Sequence, residues 1–211
     1  MRVRTKICGL STPETIGAAV RHGAAAIGFM FYPPSPRHLG FDQARALAAL
    51  VPAGVAKVGV FVDPEDALVD AALAAAGLDA LQLHKTAPAR AAALKARTRR
   101  ALWATVAVRT RADLAAGQDF VGIADRLLYD AKTPEGALPG GMGVRFDWQL
   151  LAGHRAPLPW ALSGGLTAEN LAQAVAETGA DYLDVSSGVE SAPGVKQVDK
   201  IAAFLKASAL L

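Results

Sequence analysis

The chain has 211 residues, of which 52% are hydrophobic and 19% charged, enough apolar material for a sizeable core and a length that one β/α barrel fills without dividing. Its 22 basic and 19 acidic residues leave a net charge of +3, too small an excess for a nucleic-acid partner to be expected. The lone cysteine, Cys8, argues against an internal disulfide and a cysteine-based zinc or iron–sulfur centre and fits a reducing cytoplasm; no apolar run after Met1 is long enough for a signal peptide or a membrane span.

Apolar runs rich in Val, Ile, Leu and aromatics predict strands at residues 4–9, 26–31, 56–62, 80–84, 101–108, 126–131, 160–163 and 182–186. Few alternate cleanly with polar residues, as expected of parallel strands covered on both faces. Alanine-rich helical stretches separate them. Thr12-Pro13-Glu14 opens the first, with proline at an early helical position; Asp63-Pro64-Glu65 opens another, with Asp63 a natural cap; Thr167-Ala168-Glu169-Asn170 opens a third. Gly23, Gly77 and Gly179 stand just past helix ends, where a left-handed residue is wanted. The basic run Arg97-Thr98-Arg99-Arg100 reads as a solvated helix end. The repeat is about 25 residues, and eight alternating units account for a chain of about 200. The expected fold is therefore α/β, a single-domain (β/α)8 barrel with parallel strands over residues 1–211. The longest irregular stretch, 133–143, comes after the sixth strand, and a loop that long is usually functional or mobile.

Active sites of such barrels lie at the C-terminal ends of the strands, so the residues there are the candidates. In Lys6-Ile7-Cys8 the alternation of side chains puts Lys6 and Cys8 on one face. If Ile7 packs on helices, both point into the barrel. Cys8 is then either a small buried hydrophobe or a thiol activated by the cation beside it. The second strand runs into Tyr32-Pro33-Pro34-Ser35-Pro36-Arg37-His38, a loop stiffened by three prolines that presents Arg37 to a carboxylate or phosphate, or simply to solvent. His84 ends the fourth strand and either lines the mouth or is a hydrogen-bonded structural histidine. Asp130 ends the sixth apolar strand. The chain then enters a Gly/Pro loop with no immediate helix, which favours a catalytic acid over a cap. Desolvation at the mouth would let Asp130 donate a proton near neutrality. Gly140-Gly141-Met142-Gly143 begins no strand–turn–helix dinucleotide unit and reads as a phosphate-contacting loop. The seventh and eighth strands end in Ser163-Gly164-Gly165-Leu166 and Val185-Ser186-Ser187-Gly188-Val189. Two small-residue turns at that position form an anion site from backbone N–H groups and hydroxyls. His22, His38, His84 and His154 show no ligand spacing, so no metal is expected.

In this order the same stretches resemble the phosphoribosylanthranilate isomerase family over nearly the whole chain. The matching pieces are Lys6-Ile7-Cys8-Gly9-Leu10, Gly28-Phe29 to Tyr32 with Ser35-Pro36-Arg37, Val58-Gly59-Val60-Phe61-Val62 and Gln82-Leu83-His84. They continue through Gly143 with Phe146-Asp147-Trp148, Ser163-Gly164-Gly165-Leu166, Asp184-Val185-Ser186-Ser187-Gly188-Val189-Glu190 and Pro193-Gly194-Val195-Lys196. The resemblance implies that Cys8 is the general base, Asp130 the general acid and Arg37 the grip on the anthranilate carboxylate. His84, Gly143, Gly164, Gly165, Ser186, Ser187 and Gly188 are the remaining substrate-binding expectations. It further implies an Amadori rearrangement of N-(5-phosphoribosyl)anthranilate to 1-(2-carboxyphenylamino)-1-deoxyribulose 5-phosphate. No cofactor is expected, since the substrate nitrogen is the electron sink, and the only partner expected is the phosphorylated small molecule, bound by a monomer or homodimer. Lys85 stands where glycine is expected, Met142 replaces a small hydroxyl residue and Gln197 replaces an aspartate. Two other readings remain open. The histidine-pathway isomerase, or one serving both pathways, resembles this chain but uses two aspartates, so Cys8 argues against it. A non-catalytic phosphosugar-binding barrel would bind without turnover.

Overall fold

In the computed structural model, which describes residues 3–134, 143 and 145–211, eight parallel strands pair in sequence order and close into a barrel. They are β1 (Arg4–Cys8), β2 (Ala26–Met30), β3 (Ala56–Val62), β4 (Ala80–His84), β5 (Ala101–Val108), β6 (Arg126–Ala131), β7 (Trp160–Leu162) and β8 (Tyr182–Val185). β3 to β6 have the bounds expected from sequence. The other four stop one residue sooner; Gly9 at φ +75° and Ser186 at ψ −78° turn the chain away after β1 and β8. Closure is made by β8 against β1, with Lys6 opposite Asp184 and Ile7 opposite Val185.

Helices α1 (Pro13–Arg21), α2 (Phe41–Ala48), α3 (Asp66–Ala76), α4 (Pro88–Thr98), α5 (Leu171–Thr178) and α6 (Val198–Ser208) surround the strands. None among the described residues is long and apolar enough to cross a membrane. The expected strict alternation fails after β5, where Arg111–Phe120 forms a 3-10 segment. Its buried residues Leu114, Gly117 and Phe120 recur every third position, the period of a 3-10 helix and not of an α-helix. A second 3-10 turn, Trp148–Leu151, lies beyond the β6 loop.

Thr12 caps α1 as expected, its hydroxyl accepting from the Thr15 amide at 3.3 Å. Two expected caps move. Asp63, before Pro64, is kept out of the helical region and sits at φ +38°, its amide donating to the His84 carbonyl, and α3 starts only after Glu65. Thr167 lies one turn before α5, whose cap is Asn170; the Asn170 Oδ1 accepts from the Thr167 amide at 2.8 Å. Gly23, Gly77 and Gly179 are all left-handed, as expected at helix ends. Lys85 is left-handed too, at φ +51°, which explains why glycine suits that position.

Side-chain alternation separates two apolar layers. Ile7, Phe29, Leu83, Leu127 and Leu183 join the large cluster that includes buried helix residues such as Ile16, Val69, Leu94 and Phe204. Inside the barrel, Ala26, Val58, Ala80, Trp103, Leu128, Ala161 and Tyr182 form a separate floor. The Arg126 guanidinium lies 4.3 Å from the centre of the Tyr182 ring, and Trp103 meets that ring edge-on at 5.4 Å. Two residues further along the strands the interior turns polar, with Lys6, Gln82, Asp130 and Asp184 all buried.

After β8 a 3-10 turn, Ser187–Val189, leads into an antiparallel hairpin of β9 (Glu190–Ala192) and β10 (Val195–Lys196), which sequence reading does not anticipate. Gln197 then stands at the N-cap of α6 with no side-chain capping bond. That gives the aspartate expected there a physical reason, since a carboxylate would accept from the first-turn amides. Gln197→Asp is expected to raise stability by about 1 kcal/mol, read as a higher urea midpoint at unchanged slope; an unchanged midpoint would show that the helix start gains nothing from a cap.

Candidate active site

The strand register brings the reactive groups to one end of the barrel. Lys6 and Cys8 face inward from β1, while Ile7 packs outward. Gly28 on β2 pairs with Cys8. A methyl group there would sit 2.9 Å from the Cys8 sulfur and 3.0 Å from Lys6 Nζ, so only glycine leaves room for both side chains. Lys6 is fully buried and donates to Asp184 Oδ1 at 2.7 Å. Ser163 donates to the other carboxylate oxygen at 3.4 Å. Asp130, 5% exposed at the end of β6, accepts from the Ala131 amide at 2.9 Å.

These neighbours shift the titrations in opposing ways. Burial pushes Asp130 up, the nearby Asp184 charge pushes it further, and its carboxyl titrates at about 7 despite the Ala131 amide, Ser163 hydroxyl and Lys6 acting the other way. Burial also raises the Cys8 thiol above its ordinary value; Lys6 opposes this and Asp184 adds to it. Burial would lower Lys6, but attraction to Asp184 and Cys8 outweighs it, and the lysine stays charged. His84 is pushed down to about 3 by burial and by Lys6 and Lys85, so it is neutral. Its Nε2 lies 2.9 Å from the Gln82 amide nitrogen, which donates to it.

Around this group the mouth forms one cleft with two chambers that share Asp130, Ser163, Asp184 and Ser186. The smaller, about 330 Å³, is lined by Gly143, Gly164, Gly165, Ser187 and Gly188. Gly164 and Gly165 are both left-handed, at φ +88° and +67°. A methyl group on Gly188 would overlap the Leu166 carbonyl oxygen, so the two turns can touch only through glycine. The larger chamber, about 470 Å³, is lined by Cys8, Arg37, Gln82 and His84 with the apolar Met30, Val60 and Val62. Arg37 is no surface residue: it is 4% exposed and gives two 2.7 Å bonds to the Glu190 carboxylate, from Nε and Nη2.

The structure thus gathers Cys8, Arg37, His84, Asp130, Gly143, Gly164, Gly165, Ser186, Ser187 and Gly188 around one cleft. Gly140, Gly141 and Met142 lie outside the described residues. Sequence reading misses Asp184 as a cleft residue and Glu190 as the partner of Arg37. Asp184 is within its reach, because it shares its strand face with Ser186.

A parallel β/α barrel that gathers two glycine turns, a raised carboxyl and a buried thiol at the C-terminal ends of its strands has them where the active sites of β/α-barrel enzymes lie. The family model described as N-(5'-phosphoribosyl)anthranilate (PRA) isomerase matches residues 5–207. The chain is 53% identical to the N-(5'-phosphoribosyl)anthranilate isomerase of Zymomonas mobilis subsp. mobilis, over all of both chains. It superposes on the crystal structure of phosphoribosyl anthranilate isomerase from Thermotoga maritima with a TM-score of 0.87 at 34% identity, covering 99% of this chain and 100% of that one. Superposition on a phosphoribosyl anthranilate isomerase in complex with reduced 1-(o-carboxyphenylamino)-1-deoxyribulose 5-phosphate gives a TM-score of 0.85 at 32% identity, again with 99% and 100% coverage. The chain belongs to the N-(5'-phosphoribosyl)anthranilate isomerase family.

The Lys6–Asp184 pair supplies a stability test. Removing one partner of a buried ion pair strands the other charge, at a cost of about 3–5 kcal/mol. Lys6→Met is expected to lose that much in urea unfolding, and Lys6→Met with Asp184→Asn to recover part of it. Equal stability of wild type and the single variant would show that Asp184 does not depend on Lys6.

Proposed function

We propose that the cleft holds its substrate with the phosphate in the glycine cup, the carboxylate at Arg37 and the ribose between Asp130 and Cys8. The chain is an isomerase of N-(5-phosphoribosyl)anthranilate, which it converts to 1-(2-carboxyphenylamino)-1-deoxyribulose 5-phosphate by an Amadori rearrangement. That substrate has a phosphate at one end, an aromatic carboxylate at the other and a sugar between them. The order matches the cleft: cup, paired acid and thiol, then an arginine beside the apolar wall of Met30, Val60 and Val62. The observation that carries the residue assignment is a buried carboxyl titrating at about 7 in a cleft it shares with the chain's one thiol.

In this reading the Asp130 carboxyl gives its proton to the ribose ring oxygen as the bond from C1′ to that oxygen breaks. The nitrogen lone pair fills in, leaving a C1′=N⁺ iminium. Cys8, as thiolate, takes the C2′ proton, and the released electron pair forms C1′=C2′ and returns the nitrogen lone pair. The resulting enolamine gains a proton at C1′ and loses one from the C2′ hydroxyl, giving the ketone. The two protonation states needed are the reverse of the groups' own order of acidity. Each pK unit of separation lowers the competent share about tenfold. The iminium partly restores it, because a cation beside Cys8 favours the thiolate. Assembly as a monomer or homodimer, and a cytoplasmic setting, complete the reading; the lone reduced cysteine supports the latter.

The pH dependence is set by these shifts. Raising pH through about 7 removes the first proton from the Asp130–Cys8 pair and populates its singly protonated form, so kcat/KM should rise there. It should fall again only above the ordinary thiol range, where the second proton leaves. Cys8→Ser should keep the fold and lower kcat by about 10²–10⁴-fold. Asp130→Asn should do the same and lose the limb near 7. Rate profiles across pH for the three proteins test this; a limb near 7 that persists in Asp130→Asn would take Asp130 out of the mechanism.

A further inference from the structure

Beyond the reacting pair, the most heavily built feature of the mouth is a buried line of three charges. Arg37 grips Glu190 through Nε and Nη2, each at 2.7 Å. The same carboxylate accepts an ion pair from Lys196 Nζ, also at 2.7 Å. Lys196 spends its other hydrogens on the Ser186 carbonyl at 2.9 Å and the Ser186 hydroxyl at 3.1 Å. Ser186 in turn donates to the Cys8 carbonyl at 3.2 Å. The side chains of all three charged residues are no more than 4% exposed. Glu190 and Lys196 are paired across the β9–β10 hairpin, which has no counterpart in the repeating βα unit. The hairpin is held in place at both ends. Lys200 on α6 donates to the Glu190 carbonyl at 2.7 Å. At the tip, a methyl group on Gly194 would come within 2.7 Å of the Pro36 carbonyl oxygen, so the hairpin lies directly on the proline loop that carries Arg37.

We infer that Glu190 and Lys196 are positioning residues for carboxylate recognition: Lys196 fixes Glu190, and Glu190 holds the Arg37 guanidinium in the one orientation that meets the aromatic carboxylate of the substrate. The inference rests on the reading of Arg37 as the carboxylate grip. Geometry supports it. A guanidinium is a planar fork, and two parallel bonds on one side fix its plane far better than one bond can. Lys196 adds a second cation on the same carboxylate at 2.7 Å, so Glu190 is itself held while it holds Arg37. The tie from Lys196 to Ser186 also links the carboxylate grip to the turn that lines the phosphate cup, so both ends of the substrate are registered against one hairpin.

The test uses two substrates: phosphoribosylanthranilate and the matching N-phosphoribosyl derivative of aniline, which lacks the carboxylate. Steady-state kcat and KM are measured for wild type, Arg37→Ala, Glu190→Gln and the double variant. Glu190→Gln should raise KM for the carboxylated substrate by about tenfold with a much smaller change in kcat, leave the aniline compound nearly unaffected, and add no further loss on the Arg37→Ala background. Because the amide strands two cations, Glu190→Asp is run beside it. The shorter carboxylate keeps the charge, and it should give a smaller KM rise confined to the carboxylated substrate. Losses that are additive in the double variant, or equal for the two substrates, would overturn the inference and reduce Glu190 to a structural tie. If Arg37→Ala itself damages both substrates equally, the reading of Arg37 fails. If Arg37→Ala discriminates and neither Glu190 variant does, the inference alone fails.

Discussion

The Lys6–Asp184 ion pair is buried where β8 meets β1, so the contact that closes the barrel also sets the electric field at its mouth. Taking two charges out of water costs several kcal/mol for each ion, and only close geometry with further hydrogen bonds offsets it. Here the 2.7 Å contact and the Ser163 hydroxyl supply them. The pair stands on the first polar layer above the apolar floor of Trp103, Leu128 and Tyr182. Its two charges act in opposite senses on Asp130 and Cys8. Burial raises Asp130 and Asp184 adds to it, keeping the carboxyl protonated near neutrality, while Lys6 draws Cys8 towards the thiolate against the opposing pull of burial and Asp184.

Function depends on how the rest of the mouth is arranged about that pair. The cup of β7 and β8 turns offers backbone and hydroxyl donors where the glycines allow close approach. The far chamber offers an arginine locked by Glu190 beside an apolar wall. In the proposed function a molecule anionic at both ends would stretch between them, with its central carbons against Asp130 and Cys8. Holding reactants in this way removes much of the entropic part of the barrier, and the buried groups act in a low dielectric where each charge counts for more.

Much of this is legible in the sequence, and the exceptions have physical causes. The bounds of β3 to β6 come from their apolar runs alone. The inward facing of Lys6 and Cys8 comes from alternation with Ile7, and the cups after β7 and β8 come from glycine and serine placement. The 3-10 segment after β5 is hidden because its alanine content mimics an α-helix, while its three-residue spacing of Leu114, Gly117 and Phe120 shows only when burial is known. The caps at Asp63 and Thr167 are displaced because a proline and an extra turn delay their helices. The β9–β10 hairpin breaks the βα repeat and has strands of three and two residues, too short for periodicity to register. Glu190 and Lys196 therefore carry no site signal of their own in the sequence, and Arg37 can be read as exposed or gripping with equal ease. Their partnership exists only across the fold.

The buried pair tunes the titration of the Cys8 thiol on top of its burial, and the chain offers a direct probe of it. Cys8 is the only cysteine, so the ultraviolet absorbance of thiolate, corrected with the Cys8→Ser protein, reports that group alone. In the wild-type enzyme without substrate, thiolate is expected to appear only above the ordinary thiol range, because burial and Asp184 both raise Cys8. In Asp184→Asn, with one raising charge gone and Lys6 free to favour the anion, the midpoint should move to lower pH. Thiolate already formed at neutral pH in the wild type, or a midpoint that Asp184→Asn leaves in place, would show that burial and Asp184 do not hold Cys8 in its thiol form.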